Sequence, residues 1–510
     1  MRAFILAAGV GSRLKKLTQN KPKCMVRVNG KCIIDYQLEA LIEAGIKTVC
    51  IIMGFESKKL MGHLKERYSG RLDLSYVVNE DYATTNNMYS LFLASEEMHK
   101  QPFILMNGDV VFDPVIIQRL LKKETTAVCV DVGTYSDESM KVVLNLDKTG
   151  IAGISKNIRR DQALGCSIDV YRFQKEESQF FISHIENIIR KEKRLSEWTE
   201  FAMDELVRSA KMKMEPLDVQ GRYWFEIDNL DDLREAEIQM GRRQLDWKKI
   251  QMAFVDMDGT LYRGDTAIEG ASHFMAELRK KVPYIYFLSN NSSKSHETFQ
   301  AKLQKLGIKA ARAEIILSSD ALISYLKYGG TKKIYLVGTQ ALEEVLAGEG
   351  IENTADAPEA VVLGYDTEVS YKKLLEATLL LQRNPVIPYY ATHTDNVCPT
   401  ENGNIPDIGS LIALIEKTTH RYPDKTFGKP NLAMVMPLYK KHKVFPPESI
   451  FFGDRIYTDY EMARNCGGRF IGLLSGESCR EDFENCENII VFPSVAAVFP
   501  RAIGPSVESQ

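Results

Sequence analysis

The chain is poor in the features that mark several protein classes, and each absence narrows the reading. Its nine cysteines contain no CxxC pair, which argues against a zinc-ribbon site and against a dense disulfide framework and leaves reduced thiols as the expectation. No stretch approaches the roughly 18 apolar residues that a membrane span requires. The apolar run near the start, Ala3 to Gly9, gives way to Gly11, Ser12 and Arg13 after one valine, too short for the core of a signal peptide. Charge of one sign is not in surplus: 65 Lys and Arg stand against 68 Asp and Glu, a net of −3, so no general attraction to nucleic acid is expected. Low-complexity tracts and repeats of 20–50 residues are missing as well. These absences predict a cytoplasmic protein with no nucleic-acid partner and no membrane insertion, whose partners are small molecules held in sites; homo-oligomerisation stays open.

What is present is the composition of a folded globular chain, 45% hydrophobic and 26% charged over 510 residues, too long for one core. Short apolar runs alternate with amphipathic stretches from the first residue: RAFILAAG, IIDYQLEALIEAGI, TVCIIMGF, SKKLMGHLKERY, DLSYVV. Strand followed by helix, repeated, predicts a parallel sheet covered by helices. The rhythm restarts at Gln251 with MAFVDMDG, HFMAELRKKV, YIYFLSNN, which implies a second α/β sheet. Between them DNLDDLREAEIQMGRRQLDWKK is polar, free of proline and strongly helical, so a helix near 230–248 is the expected join. The predicted domains are 1–245 and 250–510, with a further strand–helix series at about 330–420 read as an inserted cap.

In the first half, LAAGVGSRL sets Ala8, Gly9 and Gly11 directly after a strand, where backbone N–H groups can approach phosphate oxygens. Arg13 and Lys23 follow. Attack on the α-phosphate of a nucleotide builds charge on phosphate oxygens and on the leaving pyrophosphate, and fixed cations lower that barrier. Asp109 ends the apolar run FILMNGD and Asp228 sits in FEID at a strand-to-helix junction; a separated pair of carboxylates suits Mg²⁺, which draws its other ligands from water and phosphate.

With LAAGxGSRL, KPK, GD and EID in this order, residues 1 to about 240 resemble the sugar-phosphate nucleotidyltransferases. NEDYATTNNMYSL, Asn79 to Leu91, is similar to cytidylyltransferases acting on phosphocholine and related small phosphates. The resemblance implies CTP as the nucleotide, Lys23 on the α-phosphate, Arg13 on the pyrophosphate, Mg²⁺ on Asp109 and Asp228, and Asn86 and Asn87 near nucleotide or acceptor. It departs from the phosphocholine enzymes where aromatic rings should surround a trimethylammonium group: the chain offers Met140, Ala202 and Met203 there. Lys141 and Lys156 instead fit relatives in which a lysine grips the phosphate of a sugar or polyol phosphate; ordinary solvated lysines are the plainer alternative.

In the second half, MAFVDMDGT ends a strand in Asp256 and Asp258, on one side of the strand with Gly259 beneath, the arrangement for a carboxylate nucleophile and a neighbouring acid. Ser289 and Asn290 in YFLSNN, Lys429 in FGKPN, and Asp454 and Asp459 in FFGDRIYTD follow in order. They can bind phosphoryl oxygens, neutralise them, and complete a Mg²⁺ site with Asp256 and Asp258. Residues 250–500 thereby resemble the haloacid dehalogenase superfamily. The region 391–411 is similar to the subgroup of p-nitrophenyl, phosphoglycolate and glycerol-phosphate phosphatases, with THTD, residues 392–395, where its members often carry TNPD. His393 could face a substrate or simply fill a loop.

The predicted fold is α/β throughout: a Rossmann-like nucleotidyltransferase domain, then a Rossmann-like haloacid dehalogenase core with an inserted α/β cap. The predicted function is Mg²⁺-dependent nucleotidyl transfer to a small phosphorylated acceptor (polyol, sugar or choline phosphate) together with hydrolysis of a small phosphate monoester. The alternatives are a sugar-1-phosphate uridylyl- or thymidylyltransferase fused to the phosphatase, or one half silent and used for binding or dimerisation.

Overall fold

A computed structural model describes residues 1–400 and 403–500. The chain divides into two compact units, Met1–Ala236 and Glu237–Gln510. The division falls inside the helix Leu230–Gln244, ahead of the expected 245. Local packing explains it: Glu237 pairs with Arg480 at 2.7 Å, Arg242 donates to the Ala497 carbonyl, and a Cβ on Gly241 would strike Ile490 and Phe492. The second half of that helix therefore belongs to the C-terminal unit.

In the N-terminal unit the strand Arg2–Ala7 lies between the parallel strands Thr48–Met53 and Phe103–Asn107, with Asp73–Val78 parallel beyond Thr48–Met53. Ala3, Ile5 and Ala7 join one apolar cluster with Ile51 and Ile104; Phe4 and Leu6 join another with Ile52 and Leu105. Covered on both faces, the strand has no polar side to show, which is why it reads as an unbroken apolar run. The parallel pattern expected from the strand–helix runs does not continue after residue 126. Gly165–Phe173 runs antiparallel to Phe103–Asn107, Ala127–Val132 and Lys141–Leu144, and Ile151–Ser155 runs antiparallel to Lys141–Leu144. Among the described residues no helix lies between 127 and 173; a parallel pair needs a crossover of about a dozen residues or more, so strands joined by short turns pair antiparallel.

In the C-terminal unit six parallel strands run in the order Ile315–Leu317, Tyr284–Ser289, Met252–Asp256, Ser449–Gly453, Arg469–Leu473, Ile489–Phe492. The strand order reverses between Met252–Asp256 and Ser449–Gly453, and at such a switch point a crevice opens beyond the carboxyl ends of the strands. Asp256, Ser289 and Gly453 end three of them. A second parallel sheet, inserted in the chain between Ile315–Leu317 and Ser449–Gly453, takes the order Glu352–Asn353, Lys333–Val337, Ala360–Leu363, Tyr389–Ala391, Lys425–Thr426. It extends slightly past the expected 330–420. The helices Gln340–Gly348, Tyr371–Arg383 and Ile408–Thr419 accompany it. The strands Val397–Thr400 and Gly403–Pro406 pair antiparallel. Among the described residues no helix is long and apolar enough to cross a membrane.

Candidate active sites

The N-terminal unit opens a cleft of about 380 Å³ whose lining includes Ala8, Gly9, Gly11, Arg13, Lys23, Asn86, Asn87, Asp109, Lys156 and Asp228. Gly11 has φ 70°, a left-handed conformation that other side chains resist, and a Cβ there would meet the Lys23 stem at 3.0 Å. Lys23 passes through that gap and donates from Nζ to Asp109 Oδ2 at 2.7 Å and Asp228 Oδ1 at 2.5 Å. Burial alone would lower its pKa, but the two carboxylates outweigh burial and raise it. Arg13 reaches the other oxygen of Asp228 at 2.8 Å, and the two cations hold Asp228 below the usual carboxylate range against its own burial.

A third carboxylate completes this group. Oxygens of Asp109, Glu226 and Asp228 converge within 4.8 Å, and Asp109 Oδ1 is buried without a hydrogen-bond partner. Burial, then Asp169, Asp109 and Asp228, push Glu226 up to about 9. Three crowded carboxylates with an unsatisfied oxygen fit a hard divalent cation, which prefers oxygen donors. The sequence reading passed over Glu226, although strand alternation placed it on the same side as Asp228.

Asn86 and Asn87 line the cleft but also tie it together. Asn86 donates to the Ser196 carbonyl and caps the helix Asn87–Leu93, while Asn87 Oδ1 accepts from the Thr199 N–H. They hold the segment that carries Trp198 and Glu200. The two expected phosphate-gripping lysines part company. Lys156 lines the cleft with its ammonium 4.8 Å from the centre of the Trp198 ring. Lys141 is 1% exposed, absent from the lining, and donates to the carbonyls of Ser136 and Asp137 over the Tyr135 ring; buried, with two of its three donors on backbone, it is neither a solvated lysine nor a lining residue of the cleft.

In the C-terminal unit Lys429 repeats the device. Its Nζ donates to Asp256 Oδ1 at 2.5 Å and Asp459 Oδ1 at 2.6 Å; burial would lower its pKa, and the two aspartates raise it. Asp256, Asp454 and Asp459 converge within 4.8 Å, and Asp256 Oδ2 and Asp454 Oδ1 are buried without partners, again a fit for a cation held by oxygen. Burial and the neighbouring aspartates push Asp454 up to about 8; burial pushes Asp459 up to about 6, with Lys429 opposing. The Asp258 carboxylate, expected among the ligands, lies outside that group of three. Burial and then the charge of Asp256 raise its pKa, which suits a proton donor.

Two glycines let these groups meet: Gly259 has φ 85° and its Cβ would lie 2.4 Å from Asp454, while a Cβ on Gly453 would lie 2.4 Å from Asp459. Ser289 Oγ accepts from the Asn291 N–H. Asn290 is buried, accepting from the Lys429 N–H and donating to the Lys429 carbonyl and to Asp395, so its amide holds Lys429 and the THTD segment in place. His393, 1% exposed, is paired through Nε2 with Asp407 at 3.0 Å, which makes it a loop-filling group. Beside the aspartates a cavity of about 250 Å³ is lined by Asp258, Gly259, Arg263, Gly264, Thr400, Asn404, Asp454, Arg455, Gly476 and Glu477. Arg455 was not anticipated; it is ion-paired with Glu477 at 2.9 Å and Asp395 at 3.6 Å.

Residues 2–242 match the family model for nucleotidyl transferases; residues 253–352 match that for haloacid dehalogenase-like hydrolases and residues 426–498 a HAD-hydrolase-like model. The N-terminal part thus carries a nucleotidyl transferase domain and the C-terminal part haloacid dehalogenase-like hydrolase domains, placing transferase and phosphatase classes of enzyme in one polypeptide. It is similar to the glycerol-3-phosphate phosphatase of Homo sapiens, 29% identical over 285 residues, 50% of this chain and 88% of that protein. The acid sugar phosphatase of Staphylococcus aureus is 29% identical over 241 residues, 47% of this chain and 92% of that one. Among solved structures, a 4-nitrophenylphosphatase from Thermotoga maritima is 33% identical, covers 49% of this chain and 97% of its own, and has a TM-score of 0.47.

Proposed function

We propose that the N-terminal unit transfers a cytidylyl group from CTP to a small phosphorylated acceptor, releasing pyrophosphate, and that the C-terminal unit hydrolyses a small phosphate monoester through an aspartyl-phosphate on Asp256. One observation, made twice, supports this most: a buried lysine bridges two aspartates, Lys23 between Asp109 and Asp228 and Lys429 between Asp256 and Asp459. Each lysine balances carboxylates until a phosphate arrives. Mg²⁺ is the proposed metal, held by Asp109, Glu226 and Asp228 in one unit and by Asp256, Asp454 and Asp459 in the other. When bound it offsets phosphate charge and reduces its repulsion of an attacking oxygen.

In the transferase, backbone N–H groups of the turn at Gly9 and Gly11 cradle the triphosphate, Lys23 turns to the α-phosphate and Arg13 to the pyrophosphate. An oxygen of the acceptor phosphate attacks the α-phosphorus as the bond to the β-phosphate oxygen breaks. In the phosphatase, a carboxylate oxygen of Asp256 attacks phosphorus as the ester P–O bond breaks, and the Asp258 proton passes to the leaving alkoxide. Asp258 then takes a proton from the water that attacks the acyl phosphate, which frees inorganic phosphate and restores Asp256. Lys429 and Ser289 hold the phosphoryl oxygens. A 250 Å³ cavity suits a substrate the size of a glycerol or small sugar phosphate, and ligands of this kind make the cytoplasm the proposed compartment.

The cytidylyl assignment draws on the likeness of Asn79–Leu91 to cytidylyltransferases. A pyrophosphate-release panel crossing CTP, UTP, dTTP, ATP and GTP with phosphorylated acceptors tests it. CTP should give the highest kcat/KM; strong turnover with UTP and none with CTP would overturn the base assignment.

A further inference from the structure

Three buried groups of the N-terminal unit take no part in the transfer chemistry above. Asp169 and Glu200 line the cleft yet are only 8% and 2% exposed, and Tyr171 lies between them. Asp169 arrives there through an irregularity. It has φ 55° inside the strand Gly165–Phe173, where pairing with Ala127–Val132 slips between Ser167 and Tyr171; Asn107 then donates to its Oδ2 at 2.9 Å. The Tyr171 hydroxyl lies 3.0 Å from Asp169 Oδ1 and 2.9 Å from Glu200 Oε1.

A phenol has one proton and so can donate to only one of these oxygens. Two ionised carboxylates would leave the other oxygen facing a lone pair, at a buried position where that repulsion is poorly screened. Ser167 Oγ also donates to Asp169 Oδ1 at 3.2 Å, and one proton shared by the two carboxyls would relieve the remaining repulsion. Burial, then Glu200 and Asp109, push Asp169 up to about 7, and burial raises Glu200, in the same direction. The resulting surface both accepts and donates. Hydroxyl groups do both; an ammonium only donates.

The aromatic rings of the cleft point the same way. Among the described residues lining it, they are Tyr82 and Trp198. Trp198 already carries the Lys156 ammonium at 4.8 Å, and Tyr82 packs edge-on against Phe55 at 6.0 Å. A quaternary ammonium needs ring faces clear of other cations, and Lys156 already lies over one face of Trp198, which leaves no enclosing set of free rings among the described lining residues.

We propose that Asp169, Tyr171 and Glu200 bind the hydroxyl groups of a phosphorylated polyol, with Lys156, held on Trp198, facing its phosphate. This rests on the transferase reading and names its acceptor class. The test is the initial rate of pyrophosphate release by the full chain with CTP and Mg²⁺, using glycerol 3-phosphate, ribitol 5-phosphate, phosphoethanolamine and phosphocholine. A polyol phosphate should exceed both ammonium phosphates in kcat/KM by about tenfold or more, and Glu200→Gln and Asp169→Asn should each raise its KM about tenfold while KM for CTP stays within about twofold. Should either variant fail to fold, Tyr171→Phe, which keeps the ring and removes the hydroxyl between the two carboxyls, is expected to raise the same KM. Equal or better turnover of an ammonium phosphate overturns the proposal while leaving the transferase reading intact, and so do folded variants with unchanged acceptor KM. Absence of CTP-dependent pyrophosphate release with every acceptor overturns the transferase reading and this proposal with it.

Discussion

The transferase cleft and the phosphatase site use the same electrostatic device in different settings. In each, a lysine amine bridges two aspartates and a third carboxylate joins them. The Lys23 side chain keeps 12% exposure beside a cleft of about 380 Å³, whereas Lys429 keeps 4% beside a cavity of about 250 Å³ lined in part by Thr400 and Asn404 of the inserted region. The roomier site suits a nucleoside triphosphate and an acceptor together; the tighter one suits a single small ester. The carboxylate–lysine core is common to both sites, and what differs between them is the room and the side chains around it.

Breaking the core should cost most. Lys23→Ala should lower CTP-dependent pyrophosphate release about 10³-fold, since it removes a fixed cation from developing phosphate charge, while hydrolysis of p-nitrophenyl phosphate holds at the wild-type rate. Asp258→Asn should lower phosphatase kcat about 10²- to 10³-fold by removing the proton donor and later base, and acid-quenched samples should show phosphoenzyme accumulating. Unaltered kcat would take Asp258 out of the proton path. Glu226→Gln should raise the Mg²⁺ concentration for half-maximal transfer by about tenfold without moving that of the phosphatase, which a metal titration of both activities would show.

The smallest effect separates function from stability within the cleft. Asp169 has its folded pKa raised to about 7, above an unfolded value near 4. Such a group contributes its stability fully below the unfolded pKa and loses it as pH rises through the folded value. Asp169→Asn should therefore raise the melting temperature by a few degrees at pH 8 and by less at pH 5, in the metal-free transition that CTP shifts in a parallel scan. An equal change at both pH values would remove Asp169 as a strained acid.

Much of this was legible in the sequence because the groups sit where apolar strands end. Asp256, Ser289 and Asp454 each follow a buried run, and Asp109 follows FILMN after one glycine. What was not legible depends on pairing. The slip between Ser167 and Tyr171 that turns Asp169 into the cleft leaves no periodicity to read, and Glu200 reaches it from a helix more than thirty residues on. Lys141 differs from the expectation because its ammonium turns to the backbone carbonyls of Ser136 and Asp137, a matter of side-chain direction. The antiparallel half of the N-terminal sheet lies beyond the strand–helix runs of residues 2–78, where, among the described residues, no helix separates the strands of 127–173 and short connections force antiparallel pairing.

The most direct test of two independent sites on one chain is a pair of assays on Asp256→Asn: hydrolysis of p-nitrophenyl phosphate and CTP-dependent pyrophosphate release, both with Mg²⁺. Loss of hydrolysis by about 10⁴-fold or more with pyrophosphate release within about twofold of wild type is the expected result. Wild-type hydrolysis by the variant would contradict Asp256 as nucleophile, and loss of both activities in a folded variant would contradict the independence of the two sites.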